Sequence, residues 1–246
     1  MFELYPVHVA TLKGIDKSAI TALKDPGVKI DGYCIAWIIK SQDSVYIVDP
    51  GPGCDTKRAF DRHHRHLVVE NHSSIEMVLE KLRIDKSRIK AIINTHLHWD
   101  HCIANDCVKD IPIIIQKKEF DYAMNPLPRD KVIYETDFEN KPVTDFNQRF
   151  SFVEGDYKIE EGLDLIFLPG HTPGHQGVKV STLSGNYLIS GDQFDLYENY
   201  ELCHPVGIYV NLFDWYDSYN KIRNMEVEVI PAHDPQVFEK GNFEKI

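Results

Sequence analysis

The run Thr95-His96-Leu97-His98-Trp99-Asp100-His101 sets three imidazoles and a carboxylate within six residues, directly after the apolar run Ile89-Lys90-Ala91-Ile92-Ile93-Asn94. Imidazole nitrogens and carboxylate oxygens are the donors that divalent ions such as zinc take from proteins. Gathered at the end of a buried strand, they repel one another or stay unsatisfied unless a cation joins them. His96 and His98 are two apart, so extended backbone projects them from one side. Asp100 and His101 follow as the chain turns, and can face a second metal about 3.5–4 Å from the first. The plain alternative, a histidine-rich surface loop, leaves the apolar strand before the cluster unexplained. The pattern predicts a metal site.

Three later strand ends also carry donors. Leu165-Ile166-Phe167-Leu168 leads into Pro169-Gly170-His171-Thr172-Pro173-Gly174-His175, Tyr187-Leu188-Ile189 into Ser190-Gly191-Asp192, and Val227-Glu228-Val229-Ile230 into Pro231-Ala232-His233-Asp234. Four such ends predict one rim of a sheet gathered into one site. Taken in order, His-X-His-X-Asp-His, Pro-Gly-His-Thr-Pro-Gly-His, Ser-Gly-Asp and a late histidine resemble the metallo-beta-lactamase superfamily, through most of the chain. The resemblance implies an αβ/βα four-layer sandwich of the α/β class: two mixed sheets packed face to face, with helices outside and metals along one edge. It implies that His96, His98 and His171 hold one metal, that Asp100, His101 and His233 hold another, and that Asp192 bridges them. The donor types suit two zinc ions, with iron or manganese as alternatives. Asp49, in an Asp-Pro-Gly turn, resembles the aspartate that orients a ligand histidine in this family. His175 reads as a residue that hydrogen-bonds or packs beside the ligands.

Asp192 is a carboxylate where the β-lactamases of the superfamily place a cysteine. Together with the run from Phe152 to Gln176 it looks most like the N-acyl homoserine lactonases. That likeness implies a hydroxide bridging the metals that attacks a lactone or related ester, with Asp100 passing a proton to the leaving alkoxide. The lactonases carry a substrate-binding tyrosine three residues after the bridging aspartate, and Asp195 stands there instead. Tyr197 is the candidate replacement, because a two-residue step along a strand preserves side-chain direction. Cys102-Ile103-Ala104 is bulkier than the Gly-Gly that commonly follows the histidine motif. Asp195 in place of that tyrosine points to weak activity on long-chain acyl homoserine lactones and better activity on another compact lactone, aromatic ones included. A thioesterase of the hydroxyacylglutathione hydrolase type is the nearest rival, disfavoured because Lys240 and Lys245 lie among Glu239 and Glu244 rather than in a basic tail. An iron-dependent persulfide dioxygenase uses fewer ligands, and non-catalytic relatives typically lose them.

The elements that must position these groups are legible only in part. The chain has 246 residues, 43% of them hydrophobic, enough for a single domain spanning 1–246 with its own core. No repeat or low-complexity linker divides it. Its net charge of −11 disfavours nucleic acid as a partner, since phosphate backbones need a basic groove. No apolar run reaches the length of a membrane span. The absence of a basic-then-apolar leader and five cysteines without paired spacing (Cys34, Cys54, Cys102, Cys107, Cys203) suit a reduced, cytoplasmic chain. Such a chain would take a small-molecule substrate and could pair as a homodimer. Strands are expected at 32–39, 44–48, 111–116, 163–168, 177–181 and 186–189, and helices at 73–82 (capped by Ser73 or Ser74), from about Lys117, and at 214–225. Trp215, Tyr219 and Ile222 share a stripe of the last helix, as packing demands. Residues 125–150 read as an excursion over the site, while Tyr122, Tyr134, Phe194 and Tyr197 are candidates to wall its pocket. Asp61-Arg62-His63-His64-Arg65-His66 reads as a solvated face because no strand or turn fixes its imidazoles.

Overall fold

In the computed structural model, which describes residues 1–55, 57, 61, 68–135, 149–241 and 243, the first sheet begins with three antiparallel strands. These are β1 (Glu3–Asp16), β2 (Lys29–Lys40) and β3 (Val45–Val48). β2 carries Cys34-Ile35-Ala36-Trp37-Ile38-Ile39 without a polar side chain, and all six are buried. A strand covered on both faces needs such a run. β4 (Val68–Asn71) pairs with the far edge of β1. On the other side β5 (Ile89–Ile93), β6 (Ile113–Gln116) and β7 (Phe150–Val153) add in parallel, giving the order β4-β1-β2-β3-β5-β6-β7.

The second sheet contains β8 (Tyr157–Glu160), β9 (Leu163–Phe167), β10 (Gln176–Ser181), β11 (Asn186–Ile189) and β12 (Glu228–Ile230), in the order β12-β11-β10-β9-β8. Only its β11–β12 pair is parallel. Between the sheets Ile35, Trp37, Ile39, Val48 and Ile93 meet Leu163, Leu165, Val178, Val180 and Ile189. Each fully buried isoleucine or leucine there contributes about 1.5–3 kcal/mol by leaving water. Helix α1 (Ile75–Lys81) covers the outer face of the first sheet through Ile75, Val78 and Leu79, with Ser74 accepting from Met77 N as its cap. The short helix α2 (Trp99–Cys102) and α3 (Lys117–Met124) follow β5 and β6. α4 (Tyr197–Glu201) precedes α5 (Leu212–Arg223), which packs Trp215, Tyr219 and Ile222 on the outer face of the second sheet. α6 (Val237–Lys240) follows β12. The architecture is two mixed sheets face to face with helices outside, as the resemblance implies. Among the described residues no helix is long and apolar enough to cross a membrane.

The 14-residue β1 had no counterpart among the expected strands. Pro6 and Gly14 interrupt its pattern, and both are tolerated for local reasons. β4 pairs only with Ala10–Lys13, leaving Pro6 opposite β2 alone, while Gly14 takes a φ of +67° at a register shift. The excursion expected at 125–150 is seen through Glu135, and β7 closes it. Residues 136–148 and the histidines of the 61–66 cluster lie outside the described residues.

Candidate metal centre

Five of the strands end at one edge of the sandwich, and the donors sit just beyond their C-terminal ends. β3 leads to Asp49, β5 leads to His96 and His98 and into α2, and β9, β11 and β12 lead to His171, Asp192 and His233. All of these side chains are buried, and Asp100 is half-buried.

His171 Nε2 lies 3.2 Å from His96 Nε2 and 3.0 Å from His98 Nδ1. Hydrogen-bond partners fix which atoms carry protons. His171 Nδ1 donates to Ile208 O at 2.7 Å, so its Nε2 presents a lone pair. Thr95 Oγ1 gives its only proton to Asp49 Oδ2 at 2.7 Å, so towards His96 Nδ1, 3.0 Å away, it must accept. His96 Nε2 therefore also presents a lone pair. Burial lowers the pKa of all three imidazoles below the usual histidine range, which keeps them neutral. Two lone pairs facing each other at 3.2 Å repel unless a cation lies between them. Tetrahedral zinc with bonds of about 2.0–2.1 Å separates its nitrogen ligands by about 3.3 Å. The residues fit a metal.

Asp192 turns one oxygen to each of two groups. Oδ2 lies 3.7 Å from His96 Nε2 and 3.4 Å from His171 Nε2, and Oδ1 lies 3.0 Å from His101 Nε2 and 3.3 Å from His233 Nε2. Asp100 Oδ2 stands 3.8 Å from the same two imidazole nitrogens. Despite these distances, His101 Nε2 and Asp192 Oδ1 are buried with no hydrogen-bond partner. Their other sides are held: His101 Nδ1 donates to Asp49 Oδ2 at 2.9 Å and His233 Nδ1 to Tyr33 O at 2.8 Å. Without a cation, burial opposes a proton on His233, but the carboxylates of Asp192 and Asp195 outweigh it and raise that imidazole to about 9. The structure thus assembles all seven donors expected from the sequence, His96, His98, Asp100, His101, His171, Asp192 and His233. Asp49 orients His101 as expected, from a backbone φ of +46°, a conformation aspartate tolerates better than most residues.

Two residues that sequence reasoning passed over hold the ligand turns together. Glu119, on the first turn of α3, is completely buried and accepts from Leu97 N at 3.0 Å, Tyr134 OH at 2.7 Å and Thr172 Oγ1 at 2.5 Å. It ties the turn between His96 and His98 to the turn after His171. The available signal was an acidic residue in the first turn of a helix beginning directly after an apolar strand, a common surface pattern. Gly191 is the other. Its φ is +54°, and a Cβ there would lie 2.6 Å from His175 Nε2 and 2.7 Å from Thr95 Cβ, so the backbone carrying Asp192 approaches where no side chain fits. His175 packs beside the ligands, donating from Nδ1 to Leu168 O at 3.1 Å, and burial depresses it to about 3.

A cavity of about 570 Å³ opens over the donors, lined by His98, Asp100, His171, Asp192 and His233, by the apolar Leu12, Ile15, Ile20, Val132, Ile133 and Ile208, and by Lys29 and Arg129. Asp195 also lines it, with a buried Oδ1 that has no partner. Burial, reinforced by the charge of Asp192, pushes its carboxyl well above the usual range. Tyr197 corrects an expectation: it does not line the cavity. The chain after Asp192 runs through a 3₁₀ turn (Gly191–Gln193) and into α4 rather than along a strand, so two-residue parity does not apply. Its ring lies under Lys240 and packs at the rim of the inter-sheet core. Tyr122, Tyr134 and Phe194 do not line the cavity either. Phe194 packs with Trp215, Tyr122 donates to Asp130, and Tyr134 backs His98 with ring centroids 4.7 Å apart.

The model of the metallo-beta-lactamase superfamily matches residues 30–233. The chain belongs to that superfamily. Within it, an N-acyl homoserine lactonase of a Bacillus species is 26% identical over 232 residues, covering 91% of this chain and 87% of its own. An N-acyl homoserine lactone hydrolase solved with N-hexanoyl-L-homoserine at its catalytic metal centre superposes with a TM-score of 0.79 at 20% identity, covering 98% of this chain and 96% of its own. The dizinc quorum-quenching lactonase AidC, solved with a product, does so with a TM-score of 0.67 at 15% identity, covering 95% and 91%. This chain is a metal-dependent hydrolase with the superfamily's His/Asp metal-binding groups.

Proposed function

We propose that the chain opens a lactone ring at a two-metal centre, with zinc as the native ion. The carrying observation is Asp192, which turns Oδ2 to His96 and His171 and Oδ1 to His101 and His233 on the cavity floor. His96, His98 and His171 would hold one ion, Asp100, His101 and His233 the other, with Asp192 between them. Bound there, two divalent ions would supply Lewis acidity, activating water near neutral pH and polarising the substrate carbonyl. The chain's own side chains do the rest. The hydrogen bonds behind His101, His171 and His233 keep the ligand nitrogens aimed. Asp100 reaches the cavity and takes the proton to the leaving alkoxide. Leu12, Ile15, Ile20 and Ile133 offer an apolar wall to the ring and its substituent.

The curated relatives named for acyl homoserine lactones support a lactone as substrate. The carboxyl of Asp195, where the resemblance would put a tyrosine, favours a compact lactone over a long-chain one. The test is metal analysis of protein purified without added metal, followed by a pH-indicator assay over lactones and thioesters. Two ions per chain, and proton release on compact lactones that a chelator abolishes, are expected. Fast thioester cleavage without lactone turnover, or a single ion per chain, would overturn the proposal.

A further inference from the structure

Cys34 follows Tyr33 on β2, and the Tyr33 carbonyl holds His233 Nδ1 at 2.8 Å. The cysteine is 2% exposed, and it does not line the catalytic cavity. Its Sγ, a carboxylate oxygen of Asp100 and a ring nitrogen of His233 all lie within 4.8 Å of one another. Sulfur and nitrogen ligands of one tetrahedral zinc ion stand about 3.6 Å apart. A side-chain adjustment of about an ångström brings the sulfur into that range. Two further buried atoms face this group without a hydrogen bond, Asp192 Oδ1, 3.3 Å from His233 Nε2, and His101 Nε2, 3.0 Å from that oxygen. Cys102, equally buried, differs: its Sγ donates to Leu97 O at 3.5 Å and it belongs to no such group.

We propose that Cys34 Sγ would be a further ligand of the second metal position, beside Asp100 and His233. The proposal rests on the two-metal reading above and adds a sulfur to a donor set of imidazoles and carboxylates. On binding, the S–H bond is replaced by a sulfur–metal bond and the proton leaves to solvent. The two positions then differ in character. The first is nitrogen-rich. The second carries a soft donor, which favours zinc, cobalt or cadmium over manganese or magnesium.

X-ray absorption of the protein loaded with two zinc ions tests this directly, and sulfur at about 2.3 Å is expected in the averaged shell. Replacing zinc by cobalt should give a thiolate-to-cobalt charge-transfer band in the near ultraviolet. Cys34→Ser should abolish the band, and Cys54→Ser, at an exposed cysteine, should leave it in place. Two bound ions with only nitrogen and oxygen neighbours, or a band that survives Cys34→Ser, would overturn the assignment and leave the two-metal reading intact. Fewer than two ions would overturn both. If Cys34→Ser does not fold, the absorption spectrum of the unmodified protein still decides.

Discussion

Replacing Glu119 with glutamine keeps the shape of the side chain and changes one acceptor into a donor. Oε1 takes Leu97 N and Tyr134 OH, and the other oxygen takes Thr172 OH. With the carbonyl of glutamine placed on the Leu97 side, its NH₂ meets Thr172, whose hydroxyl must turn round to accept and no longer donates to the side chain. Exchanging that hydrogen bond for its reverse costs about 0.5–1.5 kcal/mol. For a chain of this size that lowers the melting temperature by about 1–6 °C. The larger consequence falls on the metals. Glu119 joins the turn that carries His96 and His98 to the turn that carries His171, and loss of a group that orients ligands typically weakens metal binding by about 10–100-fold. Chelator competition monitored by metal release, alongside thermal unfolding of the metal-free protein, separates the two effects. Unchanged affinity in Glu119→Gln would refute the claim that this carboxylate organises the ligand turns, even if stability fell.

Gly191→Ala should lose about 2–6 kcal/mol, the sum of a strained positive φ and an overpacked contact with His175 and Thr95, read as a fall in the denaturation midpoint. Tyr197→Phe should leave kcat/KM within about twofold, because loss of a hydroxyl outside the cavity removes no transition-state contact; a hundredfold loss would restore the tyrosine to the site. His8 is depressed to about 4 from its ordinary 6.5, by burial first and then by the neighbouring His72. It stacks on Tyr33 with ring centroids 3.7 Å apart, bonds to Thr11, and feels Glu70 and Lys13 nearby. Its folded value lies below its unfolded value, so the stability it contributes is present above pH 6.5 and is lost as pH falls towards 4. His8→Gln should flatten melting temperature against pH in that window, and an unchanged slope would assign the acid sensitivity elsewhere.

The donor set was legible because its chemistry is dense and its spacing local. His96, His98, Asp100 and His101 declare themselves within one turn of chain, and Asp192 and His233 follow short, mostly apolar strands. β2 and β3 were visible for the same reason. What sequence hid was any feature set by partners distant along the chain. β1 carries Pro6 and Gly14, which read as breakers until β2 and β4 are seen to place them at a free stretch and a register shift. Glu119 looks like a surface residue of a short helix until Tyr134 and Thr172 are folded around it. Tyr197 was misplaced because parity along a strand was applied to a turn entering a helix.

The donors are divided between the two halves of the sandwich. His96, His98, Asp100 and His101 follow a strand of the first sheet, whereas His171, Asp192 and His233 follow strands of the second. An ion bound among them is a clasp across the seam, so metal affinity and the docking of the halves are one linked equilibrium. Free metal at a hundred times its dissociation constant adds about 2.7 kcal/mol to the folded state. Falling metal supply therefore withdraws stability as well as catalytic power.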